Sequence, residues 1–310
     1  MKKLILRITL SVAIINILFF GCTQTSQKRQ KDAKLKVLAT TGMIYDAVLN
    51  IAKDSVEADA LMGPGVDPHL YKATQGDLQR LSAANVVFYN GLHLEGKMGE
   101  VLEKLGRLKP VVAVSEEIPK KRLRDTPVFA GNYDPHIWFN VDLWKNAVLE
   151  VGKTLKEKDP DNAAYYQQNL DIYLKKLDSL HSWVKTEIAT IPETQRILVT
   201  AHDAFGYFGD AYNIEVNGLQ GISTQSEFGL KDVADLVNLI VDRNVKAVFV
   251  ETSVSERAIN AVVDGCRQRG HNVVIGGKLY SDAMGEFGTQ DGTYIGMVTA
   301  NVNTIVSSLK

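Results

Sequence analysis

The amino-acid sequence predicts an α/β protein of two lobes, each with a mainly parallel sheet flanked by helices, joined by one long rigid helix. Short runs rich in Val, Leu and Ile alternate with segments whose apolar residues follow helical spacing, from Leu35 onwards. The alternation occurs in each half of the chain, and a single long amphipathic segment lies between the halves. Alternating strands and helices are typical of parallel sheets that are covered by helices.

Length and composition agree with a chain of about two domains. The 310 residues include 45% hydrophobic and 23% charged residues, which is ordinary for a soluble globular protein. The formal net charge is −1. A nearly neutral chain lacks the basic surface that nucleic-acid binding requires, so we expect no nucleic-acid partner.

Residues 1–21 have the pattern of a secretory signal peptide. A basic start precedes the mostly apolar run 8–20, which is shorter than the stretch of about 20 residues that a membrane-spanning helix needs. The run ends in LFFGC, which resembles a bacterial lipobox with Phe19 where Leu is usual. We therefore predict that Cys22 is lipidated and becomes the first mature residue. The alternative is an ordinary signal peptide with an incidental cysteine.

Residues 22–34 are predicted to form a polar tether between the lipid and the fold. The second cysteine of the chain, Cys266, lies in a predicted helix. With Cys22 acylated, Cys266 has no partner for an intrachain disulfide. We expect Cys266 to be a buried, small apolar residue.

The first lobe is predicted at residues 35–158. Its strands are LKVLATT, VEADALM, ANVVFYN and PVVAVS, which are rich in β-branched and aromatic residues. Its helices are GMIYDAVLNIAKD, DLQRLSAA, MGEVLEKL and the segment IWFNVDLWKNAVLEVG. In the first of these helices, Ile44, Val48 and Ile51 share one face.

Residues 159–190 are predicted to form the connecting helix. Its apolar face carries, at steps of three or four residues, Leu170, Leu174, Leu177, Leu180, Val184 and Ile188. Pro160 between two aspartates is typical of a helix start, and Pro192 marks the end. At 1.5 Å per residue, such a helix is about 45 Å long and can run along both lobes.

The second lobe is predicted at residues 191–310 and repeats the plan of the first without a strict sequence repeat. Its strands are RILVTAH, NIEVNGLQ, KAVFVET and NVVIGG. Its helices are AFGYFGDAY, LKDVADLVNLIVDRN, RAINAVVDGCRQRG and YIGMVTANVNTIVSSL.

The tripeptide Asp-Pro-His occurs twice, at 67–69 and 134–136, in a chain with six histidines. Proline fixes φ directly before each histidine. His202 ends a predicted strand and Asp282 follows the last one, where ligands gather in parallel sheets. A single histidine in such a place is more often a structural residue. Three imidazoles and one carboxylate together suit a divalent metal, although their long spacing does not by itself establish a site.

The aspartates of the two tripeptides have two possible roles. Asp67 and Asp134 could accept a bond from a nearby imidazole or cap their loops. We expect capping, because a ring contact between residues two apart is geometrically awkward.

Seven stretches resemble the cluster A-I metal-binding lipoproteins, which are substrate-binding components of zinc and manganese ABC transporters. They are GPGVDPHLYKATQGD, FYNGLHLE, DPHIWFN, AHDAFGYFGDAY, LQGISTQSE, VFVETSV and GGKLYSDAMGEFGTQDGTYIGM. They are spread along nearly all of the mature chain, and the last is highly characteristic of the family. Within it, the chain is most similar to TroA-like members.

The resemblance implies two α/β lobes with a metal bound in the cleft between them. It implies that His69, His136, His202 and Asp282 are the metal ligands. The bound Zn²⁺ or Mn²⁺ would be cargo, delivered to a membrane permease that works with a cytoplasmic ATPase. The protein would be an exported monomer, held to the cell membrane by lipid on Cys22 and facing the periplasm or the cell exterior.

The identity of the metal stays open at this stage. Many manganese-specific members have Glu at the third ligand position, whereas zinc and mixed-metal members have His, as this chain does at His202. Imidazole suits zinc and carboxylate oxygen suits manganese. The loop SEEIPKKRLRDTPVFAGNY, however, contains no histidine, unlike the His-rich loop of many zinc-dedicated members.

The remaining polar residues are given lesser roles. Glu251 ends a strand, and we expect it behind the site, bonded to a ligand imidazole. His93 is not expected to be a ligand, and His181 and His271 are expected to be exposed. Asp291 and Glu286 lie near Asp282 in the sequence, but the SDAMG match favours Asp282.

Two other functions are compatible with parts of the sequence. A zinc hydrolase needs an open metal position for water and a general base, whereas four protein ligands fill a tetrahedral site. A surface adhesin is compatible with a lipid anchor, but the sequence encodes no partner-binding strip. We therefore expect a binding protein and not an enzyme.

Overall fold

A computed structural model describes residues 33–126 and 131–310. The predicted signal peptide, Cys22 and most of the predicted tether lie outside the described residues. Residues Leu35–Lys310 form one compact unit. Within the described ranges, no helix combines the length and the apolar character needed to cross a bilayer.

The first sheet and its helices form what we name the N-lobe. Its parallel strands are β1 (Leu35–Ala39), β2 (Val56–Ala60), β3 (Val86–Tyr89) and β4 (Val111–Ala113), in the order β2-β1-β3-β4. Its helices are α1 (Gly42–Ala52), α2 (Gln75–Ala83), α3 (Gly99–Gly106) and α4 (Val141–Lys158).

The long helix α5 (Ala163–Ala189) has 27 residues and follows a 3₁₀ turn at Pro160–Asn162. Its buried face consists of Tyr166, Leu170, Tyr173, Leu177, Leu180, Val184 and Ile188. Leu174, also predicted on the apolar face, packs against the same core but is only partly buried. Two tyrosines, which the spacing of aliphatic residues did not reveal, complete the buried face.

The second sheet and its helices form the C-lobe. Its parallel strands are β5 (Ile197–His202), β6 (Glu215–Gln220), β7 (Ala247–Glu251) and β8 (Val274–Leu279), in the order β6-β5-β7-β8. Its helices are α6 (Gly206–Tyr212), α7 (Leu230–Asp242), α8 (Arg257–Gln268) and α9 (Tyr294–Leu309). Cys266 is buried in α8, as expected. The predicted fold class is confirmed, and both sheets have the same strand order.

The largest hydrophobic core continues from the N-lobe into the C-lobe along α5. Helix α5 contacts α1 and α4 of the N-lobe and α6 and α9 of the C-lobe. Trp144 of α4 stacks on Tyr294 of α9 with ring centroids 5.5 Å apart. The buried Tyr173 hydroxyl of α5 donates to Asp46 of α1 at 2.9 Å. Separating the lobes would expose this shared apolar surface to water, which is unfavourable.

The stability of the fold should therefore depend on the buried face of α5. Leu177 is fully buried at its centre, and Leu177→Ala should lower the free energy of unfolding by about 2–5 kcal/mol, because it leaves a cavity. Chemical denaturation followed by circular dichroism measures the change. Ile172 on the same helix is 47% exposed, so Ile172→Ala is the matched control and should have a much smaller effect. Equal losses for the two variants would contradict the role of this face.

Candidate metal centre

Four buried side chains come together between the lobes. His69 lies in the long loop after β2, and His136 directly precedes the 3₁₀ turn Ile137–Phe139. His202 is the last residue of β5, and Asp282 follows β8. Each of the four is at most 2% exposed. The loops at the carboxyl ends of the strands therefore bring the predicted residues into one place.

The four side chains point their donor atoms at a common centre. The Nε2 atom of His136 lies 3.3 Å from that of His69 and 3.2 Å from that of His202. The Asp282 carboxylate lies 3.4 Å from His136 Nε2, 3.6 Å from His202 Nε2 and 4.0 Å from His69 Nε2. A tetrahedral zinc site with bonds of about 2.0–2.1 Å has neighbouring donors about 3.3 Å apart. The spacing of these donors thus fits a small divalent cation.

Asp134 fixes the orientation and the tautomer of His136. One carboxylate oxygen accepts from the His136 backbone N–H at 2.9 Å and from its ring Nδ1 at 2.7 Å. The expected capping is present, but the expectation that the ring would not be contacted is wrong. Both donors of His136 reach the same oxygen of Asp134. Since Asp134 holds the Nδ1 proton, Nε2 is the ring nitrogen that faces the centre.

His202 is held in the same tautomer by the main chain. Its Nδ1 donates to the Gly221 carbonyl at 2.9 Å, which leaves Nε2 free for a metal. Glu251 lies directly behind it and accepts from the backbone N–H groups of Ala201 at 2.8 Å and His202 at 3.1 Å. The expected bond from Glu251 to an imidazole is therefore wrong. The carboxylate holds the end of β5 instead of the ring.

Several polar atoms of the centre have no hydrogen-bond partner among the described residues. They are both carboxylate oxygens of Asp282 and Nδ1 of His69. Buried polar groups without partners are rare because their desolvation is not compensated. An acceptor-only carboxylate surrounded by three imidazole nitrogens is a donor set that fits a divalent cation.

Comparison with known proteins agrees with this geometry. Residues 37–308 match the sequence model of the family described as ZnuA, zinc-uptake complex component A, periplasmic. The chain belongs to this family.

Relatives of this ZnuA-family chain are similar over almost its whole length. The manganese-binding lipoprotein MntA of Bacillus subtilis is 52% identical over 291 residues, 94% of each chain. The zinc-binding protein TroA of Treponema pallidum is 48% identical over 285 residues, 92% of each chain. A solved structure of that periplasmic zinc-binding protein gives a TM-score of 0.87 and covers 89% of this chain and 99% of that chain. The resemblance to TroA-like proteins is confirmed.

The three histidines of the site differ in their pKa values. Burial lowers the pKa of His69 and of His202 to about 4, so both rings are neutral near pH 7. Burial also disfavours charge on His136, but Asp134 and Asp282 outweigh it and raise the pKa of that ring to about 10. The pKa of Asp282 is lowered, since the three imidazoles outweigh the effect of burial. Near pH 7 and without metal, His136 is therefore the one histidine of the site that carries a second ring proton and a positive charge.

Other histidines that the sequence offered lie away from the centre. His93 is exposed in the loop after β3, as expected for a residue that is not a ligand. The expectation that His181 and His271 are exposed is wrong, because both are partly buried. His181 Nδ1 lies 3.1 Å from the Tyr212 hydroxyl, and His271 donates to the Val245 carbonyl at 2.8 Å. Both rings have structural partners.

Trp138 is a residue of the site that sequence reasoning missed. Its ring lies edge-on to His136 with centroids 5.3 Å apart. Its Nε1 donates to the Ser281 carbonyl at 3.0 Å, next to Asp282. The sequence shows a tryptophan two positions after His136, which could have indicated a role near the site. It does not show that Ser281 of the other lobe is the partner of this tryptophan. Trp138 thus joins the His136 loop to the Asp282 loop.

The raised pKa of His136 can be tested in metal-free protein. At pH 7.5, ¹⁵N chemical shifts should show both ring nitrogens of His136 protonated, whereas His69 and His202 should be neutral. In Asp134→Asn, which removes the nearest negative charge, His136 should lose its proton at lower pH. A neutral His136 ring in the unaltered protein at pH 7.5 would show that this assignment is wrong.

Proposed function

We propose that this chain is an extracytoplasmic solute-binding lipoprotein that captures Zn²⁺ or Mn²⁺ and delivers it to an ABC permease. The observation that carries the proposal is the convergence of His69, His136, His202 and Asp282 in a buried centre between the lobes. We infer that these four side chains are the metal ligands. Three imidazole nitrogens and one carboxylate oxygen would replace the water shell of the ion.

The charge balance of the centre favours capture of a dication. Asp282 contributes one negative charge directly, and the buried Asp134 lies behind His136. The metal displaces the proton from His136, after which Asp134 still accepts from Nδ1 and keeps Nε2 turned to the ion. Glu251, whose pKa burial raises to about 8, supports the backbone of His202.

The proposed partners follow from the family. MntA is named as a lipoprotein, and SsaB of Streptococcus sanguinis, 31% identical over 315 residues, is named as a metal ABC transporter substrate-binding lipoprotein. We infer that the chain works as a monomer with a membrane permease and its cytoplasmic ATPase. Lipid on Cys22 would hold it at the outer side of the cell membrane, with residues 22–34 as the tether.

The alternative functions have less support. The family consists of solute-binding proteins, and the centre offers four protein donors, which occupy the positions of a tetrahedral site. A hydrolytic zinc needs one of these positions for water. A role as an adhesin would not account for a buried cluster of three histidines around an unpaired carboxylate.

The choice between zinc and manganese is not decided by the donor set alone. Three imidazoles favour zinc over manganese. The similar identities to MntA, named for manganese, and TroA, named for zinc, are compatible with either cargo. We propose that zinc binds more tightly in vitro and that either ion is the cargo in the cell.

Removing a ligand tests the proposed site. His202→Ala should lower Zn²⁺ affinity more than about 100-fold, because loss of an outer partner of a ligand already costs about 10–100-fold. Competition with a chromophoric chelator, together with metal analysis of dialysed protein, measures the change. His93→Ala removes an exposed histidine and is the matched control. If the His202→Ala protein retained as much metal as the control, the proposed centre would be wrong.

The proton on His136 predicts how affinity depends on pH. In the empty site this proton is present at pH values below about 10. Metal binding must release it, so affinity should fall about tenfold for each unit of decreasing pH across the neutral range. Below about pH 4, His69 and His202 also take up protons and the fall should steepen. Calorimetry in buffers of different ionisation enthalpy should give about one proton released per ion at pH 7.5. If no proton were released, the assignment of this proton to His136 would be wrong.

A further inference from the structure

The loop between β6 and α7 touches both a C-lobe ligand and an N-lobe ligand. We name residues 221–226 the bridging loop. Its first residue, Gly221, accepts from His202 Nδ1. Further along, Thr224 and Gln225 reach across to the loop that carries His69. One short segment thus links ligands from the two lobes.

Two hydrogen bonds cross from the bridging loop to the N-lobe. The Thr224 hydroxyl donates to Asp67 Oδ2 at 2.6 Å, and the other oxygen of Asp67 accepts from the His69 backbone N–H at 2.8 Å. The Gln225 side chain donates to the His69 carbonyl at 3.0 Å. The backbone of His69 is therefore held on both its N–H and its C=O side. Gln225 of the bridging loop makes the bond to the carbonyl directly. The bond to the N–H comes from Asp67, which Thr224 of the same loop holds.

His69 depends on these contacts more than the other imidazoles do. The rings of His136 and His202 are fixed at Nδ1 by Asp134 and by the Gly221 carbonyl. Nδ1 of His69 has no hydrogen-bond partner within the described ranges. Its ring position is thus set by its backbone and by packing, so displacement of the backbone would displace the donor atom.

The bridging loop is itself restrained from within the C-lobe. The Gln220 side chain donates to the carbonyls of Thr224 at 2.7 Å and Ser226 at 3.0 Å. Thr224 is 8% exposed, so its bond to Asp67 is largely shielded from water. Gln225 is exposed and should contribute less. A shielded hydrogen bond to a carboxylate is among the stronger kinds in proteins.

We propose that Thr224, assisted by Gln225, is a positioning residue that holds His69 in the metal site and thereby sets how long the metal is retained. This inference rests on the proposed function, since it concerns retention of the same ion. Loss of the Thr224 hydroxyl should free Asp67 and the backbone of His69 while leaving all four donor side chains in the chain. The effect should appear mainly in the dissociation rate.

Matched variants at Thr224 separate the hydroxyl from the shape of the side chain. Thr224→Val removes the donor and keeps the branched shape, whereas Thr224→Ser keeps the donor. In the full mature chain loaded with Zn²⁺, dissociation into excess chelator should be about tenfold faster in Thr224→Val and nearly unchanged in Thr224→Ser. Gln225→Ala should give a smaller increase. Ser226→Ala, in the same loop but with an exposed side chain, is the control.

Two further measurements distinguish positioning from a general loss of structure. With Co²⁺ as probe, the visible absorption of Thr224→Val should remain that of a four-coordinate site in the initial complex. In metal-free protein, diethylpyrocarbonate modification, located by peptide mass spectrometry, should be faster at His69 in Thr224→Val than in the unaltered protein. Modification of His202, which is also neutral, should be unchanged. A variant that merely unfolds would lose the Co²⁺ spectrum and react at both histidines.

The outcomes separate this inference from the proposed function. If the unaltered protein binds Zn²⁺ and Thr224→Val releases it at the same rate, the positioning role is overturned and the proposed function stands. If the unaltered protein binds neither Zn²⁺ nor Mn²⁺, the proposed function fails. Faster modification of His69 in Thr224→Val would then still support the restraint of His69 by Thr224, and unchanged modification would overturn it.

Discussion

The buried carboxylate of Asp282 is the constraint on which the arrangement of the site depends. Within the described residues neither of its oxygens has a hydrogen-bond partner, and a buried charge without compensation is costly. In the metal-free protein its charge is offset by the protonated ring of His136, whose Nε2 lies 3.4 Å away. His136 belongs to the other lobe. The electrostatic balance of one C-lobe side chain therefore requires the N-lobe to be in place.

The groups around this carboxylate hold the three histidines of the proposed site by different means. His136 is oriented by a carboxylate of its own tripeptide, and His202 by a main-chain carbonyl and a strand end that Glu251 supports. These restraints are local to each lobe. Trp138 instead joins the ligand loops of the two lobes directly. The four side chains of the proposed site are thus already aligned in the metal-free structure, and such alignment would reduce the reorganisation that metal binding requires.

The sequence predicted the sheets, the long helix and the candidate ligands, because periodicity and strand ends are local properties of the chain. The spacing of the ligands did not predict their convergence, which rested on the family resemblance. Details that depend on side-chain direction were mispredicted. Asp134 bonds to the His136 ring as well as to its backbone, and Glu251 at the end of β7 bonds to the main chain of the neighbouring strand β5. The partner of the Thr224 hydroxyl, Asp67, lies in the other lobe, so no sequence window contains both sides of that contact.

The core that continues through both lobes restricts how the sequence can evolve. Helix α5 presents one buried face to side chains from α1, α4, α6 and α9 together. Residues along that face pack against helices of both lobes. The lobes are therefore not interchangeable modules, although their sheets share one strand order. A lobe taken from a relative would need matching residues along α5, so recombination between family members should succeed only where that helix is inherited with its neighbours.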